Sequence, residues 1–363
     1  MYFIYFLWMV IIIRFLTALN NYIYRIQWTT TIKSDASARI SILVPARNEE
    51  VNISNIINDV LAQEYENWEL LILDDDSEDN TRQIAQMLSS QDQRIRILHN
   101  KMLPDGWLGK NHACHLLAQQ ATGSCLCFLD ADVRITPHFL SEAIHFMENN
   151  PLDMFSIFPK QIMLSKGEEI TVPLMNQILL SLLSLPLVQK FSNPSLAAAN
   201  GQCMFYQTKS YQALLPHQYL KNEKVEDIKI ARFFKTKNQK IACLASVDSI
   251  SCRMYTSYTE AINGFAKNVI EFFGGSYLLA IIYFLATSFS WTFIGLKMGF
   301  WWMILALILD LLTRSIISLT SNQSPIRNIF YGIAQQLALG HMILKSAVFK
   351  LYLKETWKGR IIN

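Results

Sequence analysis

The chain has 363 residues, of which 51% are hydrophobic and 17% charged, with a formal net charge of +3 and a mean hydropathy of +0.19. That is too apolar for an ordinary water-soluble domain and too polar for a chain made only of membrane spans, so a water-soluble domain joined to membrane helices fits best. The small net charge, with no basic stripe carrying interleaved aromatics, argues against a nucleic-acid binder.

Residues 2–19 are almost all apolar, interrupted by Arg14 and Thr17. The stretch is long enough to span a bilayer. No charge precedes its apolar core, and Asn20-Asn21-Tyr22 follows where a cleavage site would need small residues. Residues 1–24 therefore read as an uncleaved anchor. The run Ile40-Ser41-Ile42-Leu43-Val44 reads as a strand ending at Pro45-Ala46-Arg47-Asn48-Glu49. Residues 52–62 show helical periodicity through Ile53, Ile56, Ile57 and Val60. A second strand, 68–73, runs into Asp74-Asp75-Asp76-Ser77. A helix over 81–88, a short strand over 94–98 and a helix over 108–120 follow. A fourth strand, 124–129, closes on Asp130-Ala131-Asp132. Strand and helix alternate, which predicts an α/β fold with a parallel sheet and right-handed crossovers. Carboxylates fall at two strand ends, where open α/β sheets bind ligands.

The residue types there suggest chemistry. Asp74-Asp75-Asp76 holds more acid than helix capping needs. A carboxylate at Asp75 can accept hydrogen bonds from a base N–H such as uracil's. Asp130 and Asp132, separated by a small residue, suit one divalent cation carrying a diphosphate, because hard cations take oxygen ligands. Gly109-Lys110 opens a helix, and helix N-termini favour anions, so Lys110 is placed near a diphosphate. The stretch 106–111 lacks the glycine spacing of a P-loop. His112 and His115 share a helix face, but no third ligand has zinc spacing.

Further along, residues 170–191 are strongly apolar and cut by Pro173 and Pro186. They read as an amphipathic helix on the membrane or as a buried core helix. Gly201-Gln202-Cys203-Met204-Phe205 reads as a strand after Ala197-Ala198-Ala199-Asn200, with small residues that admit a second substrate closely. Glu226-Asp227 begins a helix over 228–234. The pair either complements the helix dipole or supplies a general base. Residues 277–296 and 298–319 read as two spans linked at Lys297, with Asp310 and Arg314 pairing on one face. Residues 329–349 carry Gln335, Gln336, His341 and Lys345 and suit an interfacial helix, a third span or a re-entrant piece. Arg25, Lys33 and Arg39 follow the first span, and Lys345, Lys350, Lys354, Lys358 and Arg360 crowd the tail. The positive-inside rule then puts the central domain and the tail in the cytoplasm, in a multi-pass protein of the inner membrane. The six cysteines form no Cys-x-x-Cys pair. Cys125 and Cys127 read as small core residues of a reduced domain.

Taken together, these stretches resemble the family 2 glycosyltransferases of the A-type fold, over roughly residues 40–262. Val44 to Glu50 is similar to that family's first nucleotide-binding strand end, which implies donor contacts from Pro45, Ala46, Arg47 and Glu49. Leu73 to Thr81 is similar to its second, with Asp75 where the family binds uracil. Asp130-Ala131-Asp132 resembles its metal motif, in which the last Asp contacts Mg²⁺ or Mn²⁺. Asp130 and Ala131 then face the nucleotide sugar. Glu226-Asp227 resembles the pair whose Asp is the catalytic base.

The segments 106–113, 201–205 and 253–255, with the apolar ends, resemble a membrane-anchored bacterial subgroup associated with carotenoids and hopanoids. The Gln-x-x-Arg-Trp motif of processive and ceramide enzymes is missing from 258–268, which disfavours a polymerase. Trp357-Lys358-Gly359-Arg360 resembles the tail of many membrane members.

The resemblance implies an anchor at 1–24 and a catalytic domain at 39–252. The nucleotide-binding half is 39–135 and the acceptor-binding half 136–252. An interfacial helix at 253–276 and a membrane region at 277–363 complete the chain. It also implies inverting transfer of a hexose, with glucose favoured, from a UDP-sugar to a membrane lipid. The lipid is a carotenoid or other isoprenoid, with Asn200, Gly201 and Gln202 lining the acceptor region. A polyprenyl phosphate or a glycerolipid is the alternative acceptor, and a non-catalytic membrane scaffold is the remaining reading.

Overall fold

The computed structural model describes residues 1–26, 28, 38–352, 356–357 and 360–361. Lys33, Lys354 and Lys358, used above for orientation, and Gly359 of the tail motif lie outside them. The chain divides into two compact units. One comprises residues 26–160 and 187–252, and the other 1–25, 161–186 and 253–363. Residues 161–186, read above as part of the acceptor-binding half, thus fall in the unit that holds the apolar helices.

The strands up to residue 252 are β1 (Ile40–Ala46), β2 (Trp68–Asp74), β3 (Ile95–His99), β4 (Cys125–Leu129), β5 (Val133–Ile135), β6 (Met154–Phe158), β7 (Lys160–Gln161), β8 (Cys203–Gln207), β9 (Ile241–Ala245) and β10 (Ile250–Cys252). The main sheet runs β3-β2-β1-β4-β8-β6-β9. β1 pairs in parallel with β2, from Ile40↔Trp68 to Ala46↔Asp74, and with β4 on its other edge. The chain therefore leaves β1 for β2 on one side and returns to β4 on the other. This makes a switch point at the carboxyl ends of β1 and β4, where ligands settle.

The parallel sheet expected from the sequence holds for β1–β4. β8, however, runs antiparallel to both β4 and β6, so the whole sheet is mixed. The reason is its approach: β8 follows a long excursion through residues 159–202 rather than a single crossover helix.

Apolar residues on both faces of β1 explain the unbroken run read in the sequence. Ile40, Ile42, Leu43 and Val44 are fully buried, as central strands covered by helices require. Helix Ile53–Leu61 covers the sheet with Ile53, Ile56, Ile57 and Val60, all fully buried at i, i+3, i+4, i+7 spacing. Each such side chain contributes roughly 1.5–3 kcal/mol by leaving water. Behind β6 and β8, Phe155 and Phe205 stack at 4.5 Å. At the amino end of the strands Gly123 is required: a Cβ there would lie 2.6 Å from the Arg39 carbonyl oxygen and 2.7 Å from the Ser41 nitrogen.

Among its described residues the other unit has three helices long and apolar enough to cross a membrane: Tyr2–Ile23, Tyr277–Met298 and Phe300–Thr320. Lys297 lies inside the second rather than linking it to the third. The break is at Gly299, whose φ of 102° suits glycine. Asp310 pairs with Arg314 at 3.6 Å as expected, but Arg14 of the first helix is closer at 2.8 Å. This explains why an arginine interrupts the first apolar run. Arg314 also donates to Gln335 Oε1 at 2.8 Å.

The stretch 170–191 is not one helix but three pieces: Lys166–Thr171, Pro173–Leu182 and Leu185–Lys190. Pro173 starts the second rather than cutting the first, since the first helical position loses nothing by lacking an N–H. Leu174 and Ile178 are buried in this unit's core beside Ala261, Ile262, Val269 and Ala338. The core-helix reading therefore holds over that turn. The interfacial helix expected at 253–276 is likewise two pieces, Tyr258–Phe265 and the 3₁₀ turn Val269–Phe273.

Candidate active site

The carboxyl ends of β1 and β2 form one polar surface because their loops are zipped together. The buried Arg47 guanidinium donates to the carbonyls of Asp75 at 2.6 Å and Asp76 at 2.7 Å. The Asn48 N–H donates to Ser77 Oγ, and the Glu78 N–H to Asn48 Oδ1. The Glu49 N–H donates to Thr81 Oγ1 at 2.7 Å. Asn48 and Asp76 hold φ near 52° and 59°, a left-handed conformation that Asn and Asp tolerate better than other side chains. Arg47, placed by resemblance against the donor, thus directs its guanidinium to the backbone that carries Asp75. Pro45 and Ala46 close β1, and the Ala46 carbonyl accepts from the Asp75 N–H at 2.9 Å.

The Asp75 side chain is buried at the end of β2. Asn100, just after β3, donates to its Oδ1 at 3.3 Å and faces His112 Nδ1 at 3.2 Å. The strand-end rule that singled out Asp75 applies equally to Asn100, which the sequence reading missed. His112 and His115 pack on the Trp107 ring at 5.1 and 5.2 Å. Burial lowers the pKa of both imidazoles.

Asp130 and Asp132 follow β4. The Asp130 N–H is fixed by the Gln202 carbonyl at 3.1 Å, and Ala131 is buried between the two acids. Asp132 Oδ1 is buried with no hydrogen-bond partner among the described residues. Burial, then the charges of Asp130 and Glu49, push the Asp132 carboxyl up to about 6, although the neighbouring Cys252 thiol partly opposes this. Gln202 donates to that thiol's Sγ at 2.9 Å. Among the described residues no cluster of three His, Cys, Asp or Glu side chains forms a ready cation cage. Two carboxylates, one with an orphaned buried oxygen, still fit a hard divalent cation whose remaining ligands are substrate phosphates and water.

Lys110 joins this pair to the second acidic motif. Its ammonium lies 2.8 Å from Asp130 Oδ1 and 3.4 Å from Glu226 Oε1. Burial pulls the ammonium's pKa down, but these two carboxylates raise it further, so it stays protonated. Lys110, expected beside a diphosphate, is thus held by acids on two elements.

Asp227 opens the helix Glu226–Thr236. Its Oδ2 accepts from the Gly201 N–H at 3.0 Å and its Oδ1 from the Ile228 N–H at 2.7 Å. Burial and the adjacent Glu226 charge push it up to about 7, the range a base needs at neutral pH. A Cβ on Gly201 would lie 3.2 Å from Lys110 Nζ and 3.3 Å from Glu226 Oε1. The small residue at 201 therefore admits this ion pair. The Asn200 N–H donates to Ser156 Oγ at 2.7 Å and its side-chain oxygen accepts from the Gln202 N–H at 2.8 Å. Asp130, Lys110, Glu226, Asp227 and Gly201 thus form one connected group.

Residues 41–215 match the sequence profile of Glycosyl transferase family 2. Among curated proteins, the chain is 23% identical over 249 residues to a 4,4'-diaponeurosporenoate glycosyltransferase of Staphylococcus haemolyticus, covering 68% of this chain and 65% of that protein. It is 42% identical over 93 residues to the UDP-Glc:alpha-D-GlcNAc-diphosphoundecaprenol beta-1,3-glucosyltransferase WfgD of Escherichia coli, covering 26% of this chain and 34% of that one. The chain thus spans less than two thirds of the length of either relative. Among solved structures, a mannosyltransferase of Pyrobaculum calidifontis in complex with GDP-Man and Mn²⁺ superimposes with a TM-score of 0.56 at 15% identity. That match covers 96% of this chain and all of that one, and shows a shared fold.

Proposed function

We propose, on the match of residues 41–215 to the Glycosyl transferase family 2 profile, that the chain is a glycosyltransferase that transfers a hexose, with inversion, from a UDP-sugar to a membrane lipid. The observation that carries this reading is the position of Asp227. It is a half-buried carboxylate, raised toward neutral pH by desolvation and the adjacent Glu226 charge and held by the Gly201 N–H, and linked through Glu226 and Lys110 to Asp130.

Asp75 and Asn100 receive the uracil edge, and the loop ends at Pro45, Ala46 and Glu49 line the donor. Asp132 and Asp130 would hold Mg²⁺ or Mn²⁺. The cation, when bound, supplies Lewis-acid neutralisation of charge on the departing diphosphate. Lys110 keeps Asp130 and Glu226 compensated while the donor is absent. Asp227 takes the proton of an acceptor hydroxyl or carboxylic acid as that oxygen bonds to the anomeric carbon. The bond from this carbon to the β-phosphate oxygen breaks, and UDP leaves with the electron pair. One displacement inverts the anomeric carbon.

A lipid acceptor is favoured because the described residues include three helices long and apolar enough to cross a membrane. Arg25, Arg39, Lys345 and Lys350 favour a cytoplasmic catalytic domain in an inner-membrane protein. The relative with the longer match is named for a carotenoid acid, so we favour glucose and an isoprenoid such as a carotenoid. The second relative, named for a diphosphoundecaprenol-linked acceptor, supports a polyprenyl-linked acceptor as the second reading. Incubating the protein in nanodiscs with UDP-[¹³C]glucose, Mn²⁺ and lipid extracts rich in carotenoids or in polyprenyl phosphates tests both. Label in the isoprenoid fraction supports the first reading, and label in the polyprenyl fraction supports the second. Label in neither would overturn lipid glucosylation.

A further inference from the structure

Lys235 is unassigned by anything above, yet its ammonium is almost completely buried. It donates to three backbone carbonyls: Val188 at 2.8 Å, Phe191 at 2.7 Å and Leu196 at 2.5 Å. An ammonium has three donors, and all three are used. No carboxylate pairs with it among the described residues, and burial lowers its pKa to about 8. A buried charge satisfied only by carbonyl dipoles is costly, so the arrangement calls for a reason.

The reason lies at the other end of the same helix. Lys235 and Asp227 both belong to Glu226–Thr236. They are eight residues apart, about 12 Å along the axis at 1.5 Å per residue. Lys235 grips the segment at 188–196. Asp227 grips it again at 201, through the Gly201 N–H at 3.0 Å. Between these grips, Asn193 caps its own turn by accepting from the Ser195 N–H at 2.9 Å, and Ala197, Ala198 and Ala199 are buried. The hydroxyl of Ser156 then holds both backbone groups of Asn200, at 2.7 and 3.1 Å. One rigid helix thus fixes both ends of the segment that leads into Asn200, Gly201 and Gln202.

We propose that Lys235 is a positioning residue: it sets the path of residues 188–201 so that the Gly201 N–H meets Asp227 and the wall at 200–202 stands against the base. This rests on the reading of 200–202 as the acceptor wall and Asp227 as the base. Its physical core is a coupling between two ends of one helix that does not require the acceptor to be identified.

The test is hydrogen–deuterium exchange of the full chain in detergent, with UDP and Mn²⁺ as the binding probe. Lys235→Met keeps the side-chain length and removes the donors. Amide exchange should rise at least tenfold in peptides from 188–196 and also at 197–203, which contains the Gly201 amide. Peptides from β1–β4 and the affinity for UDP should change less than twofold. Ser156→Ala, which releases only the Asn200 end, should raise exchange at 197–203 and leave 188–196 protected.

Faster exchange confined to 188–196 in Lys235→Met would make the lysine a local fastener and overturn the proposal. So would no change in either stretch. If Lys235→Met loses protection throughout, unchanged exchange at 197–203 in Ser156→Ala overturns the coupled-loop account. Failure of the base reading shows separately, as full turnover in Asp227→Asn.

Discussion

Replacing Asp227 by Asn separates chemistry from stability. Removing a positioned general base typically costs about 10²–10⁴-fold in rate, or about 2.7–5.4 kcal/mol at 1.36 kcal/mol per tenfold. Stability should move the other way. The carboxyl is raised from an ordinary value near 3.8 to about 7 by burial and by Glu226. A group whose folded pKa lies above its unfolded value stabilises the fold fully below the unfolded pKa, and that contribution is lost as pH rises through the folded one. The penalty therefore builds from about pH 4 upward, and above pH 7 the wild type holds an unfavourable, poorly solvated charge. The shift sets a ceiling of roughly 4 kcal/mol, and Asn relieves it. Against this, one of the two N–H donors, from Gly201 or Ile228, would face the amide NH₂, at a cost of about 1 kcal/mol.

Asp227→Asn is thus expected to be about 1–3 kcal/mol more stable than wild type at pH 8, and equal or less stable at pH 3.5, below the unfolded pKa, while its transfer rate falls at least a hundredfold. Thermal unfolding at the two pH values, with transfer rates from the same preparation, measures both. A variant that keeps wild-type turnover would refute the base assignment. One that is destabilised at pH 8 and loses activity only in step with its folded fraction would refute the electrostatic reasoning.

Other predictions follow from single contacts. Wild-type transfer should show an acid limb near pH 7, where Asp227 loses its proton; a flat rate from pH 5 to 8 contradicts this. Asp75→Ala should weaken UDP binding by about 1.5–3 kcal/mol, the typical value of a hydrogen bond to a charged group, with little change in melting temperature; calorimetric titration with UDP checks it. Lys110→Met leaves Asp130 and Glu226 without their shared cation. It should destabilise the donor-free protein by about 1.5–3 kcal/mol, with part of the loss recovered on adding Mn²⁺ and UDP. Gly123→Ala forces a Cβ to within 2.6 Å of the Arg39 oxygen and should cost about 1–3 kcal/mol, seen in melting, without changing UDP affinity per folded molecule.

The first four strands and their helices were legible because two independent signals agree there. Continuous apolar runs mark strands buried on both faces, and i, i+3, i+4, i+7 spacing marks the helices over them. Their polar ends, Asp74-Asp75-Asp76 and Asp130-Ala131-Asp132, then fall on one edge as a matter of topology. The antiparallel entry of β8 was not legible, because direction depends on a 44-residue excursion from 159 to 202 rather than on any local pattern. Arg14 beside Asp310 was hidden for the same reason: the partners are 296 residues apart, whereas Asp310–Arg314 is visible as an i, i+4 pair. Lys110 could be read as cationic and at a helix start, but not as shared by acids 20 and 116 residues away. Lys235 gave no signal, since its partners are backbone carbonyls, which sequence does not mark.

Hexosyl transfer to a membrane lipid would be read out by mass spectrometry of total lipids. Cells with and without this chain would be fed labelled glucose and their total lipids compared. One labelled, hexosylated isoprenoid is expected, present only with the intact chain and absent with Asp227→Asn. A lipid profile identical in all three, with the protein folded in the membrane, would contradict it.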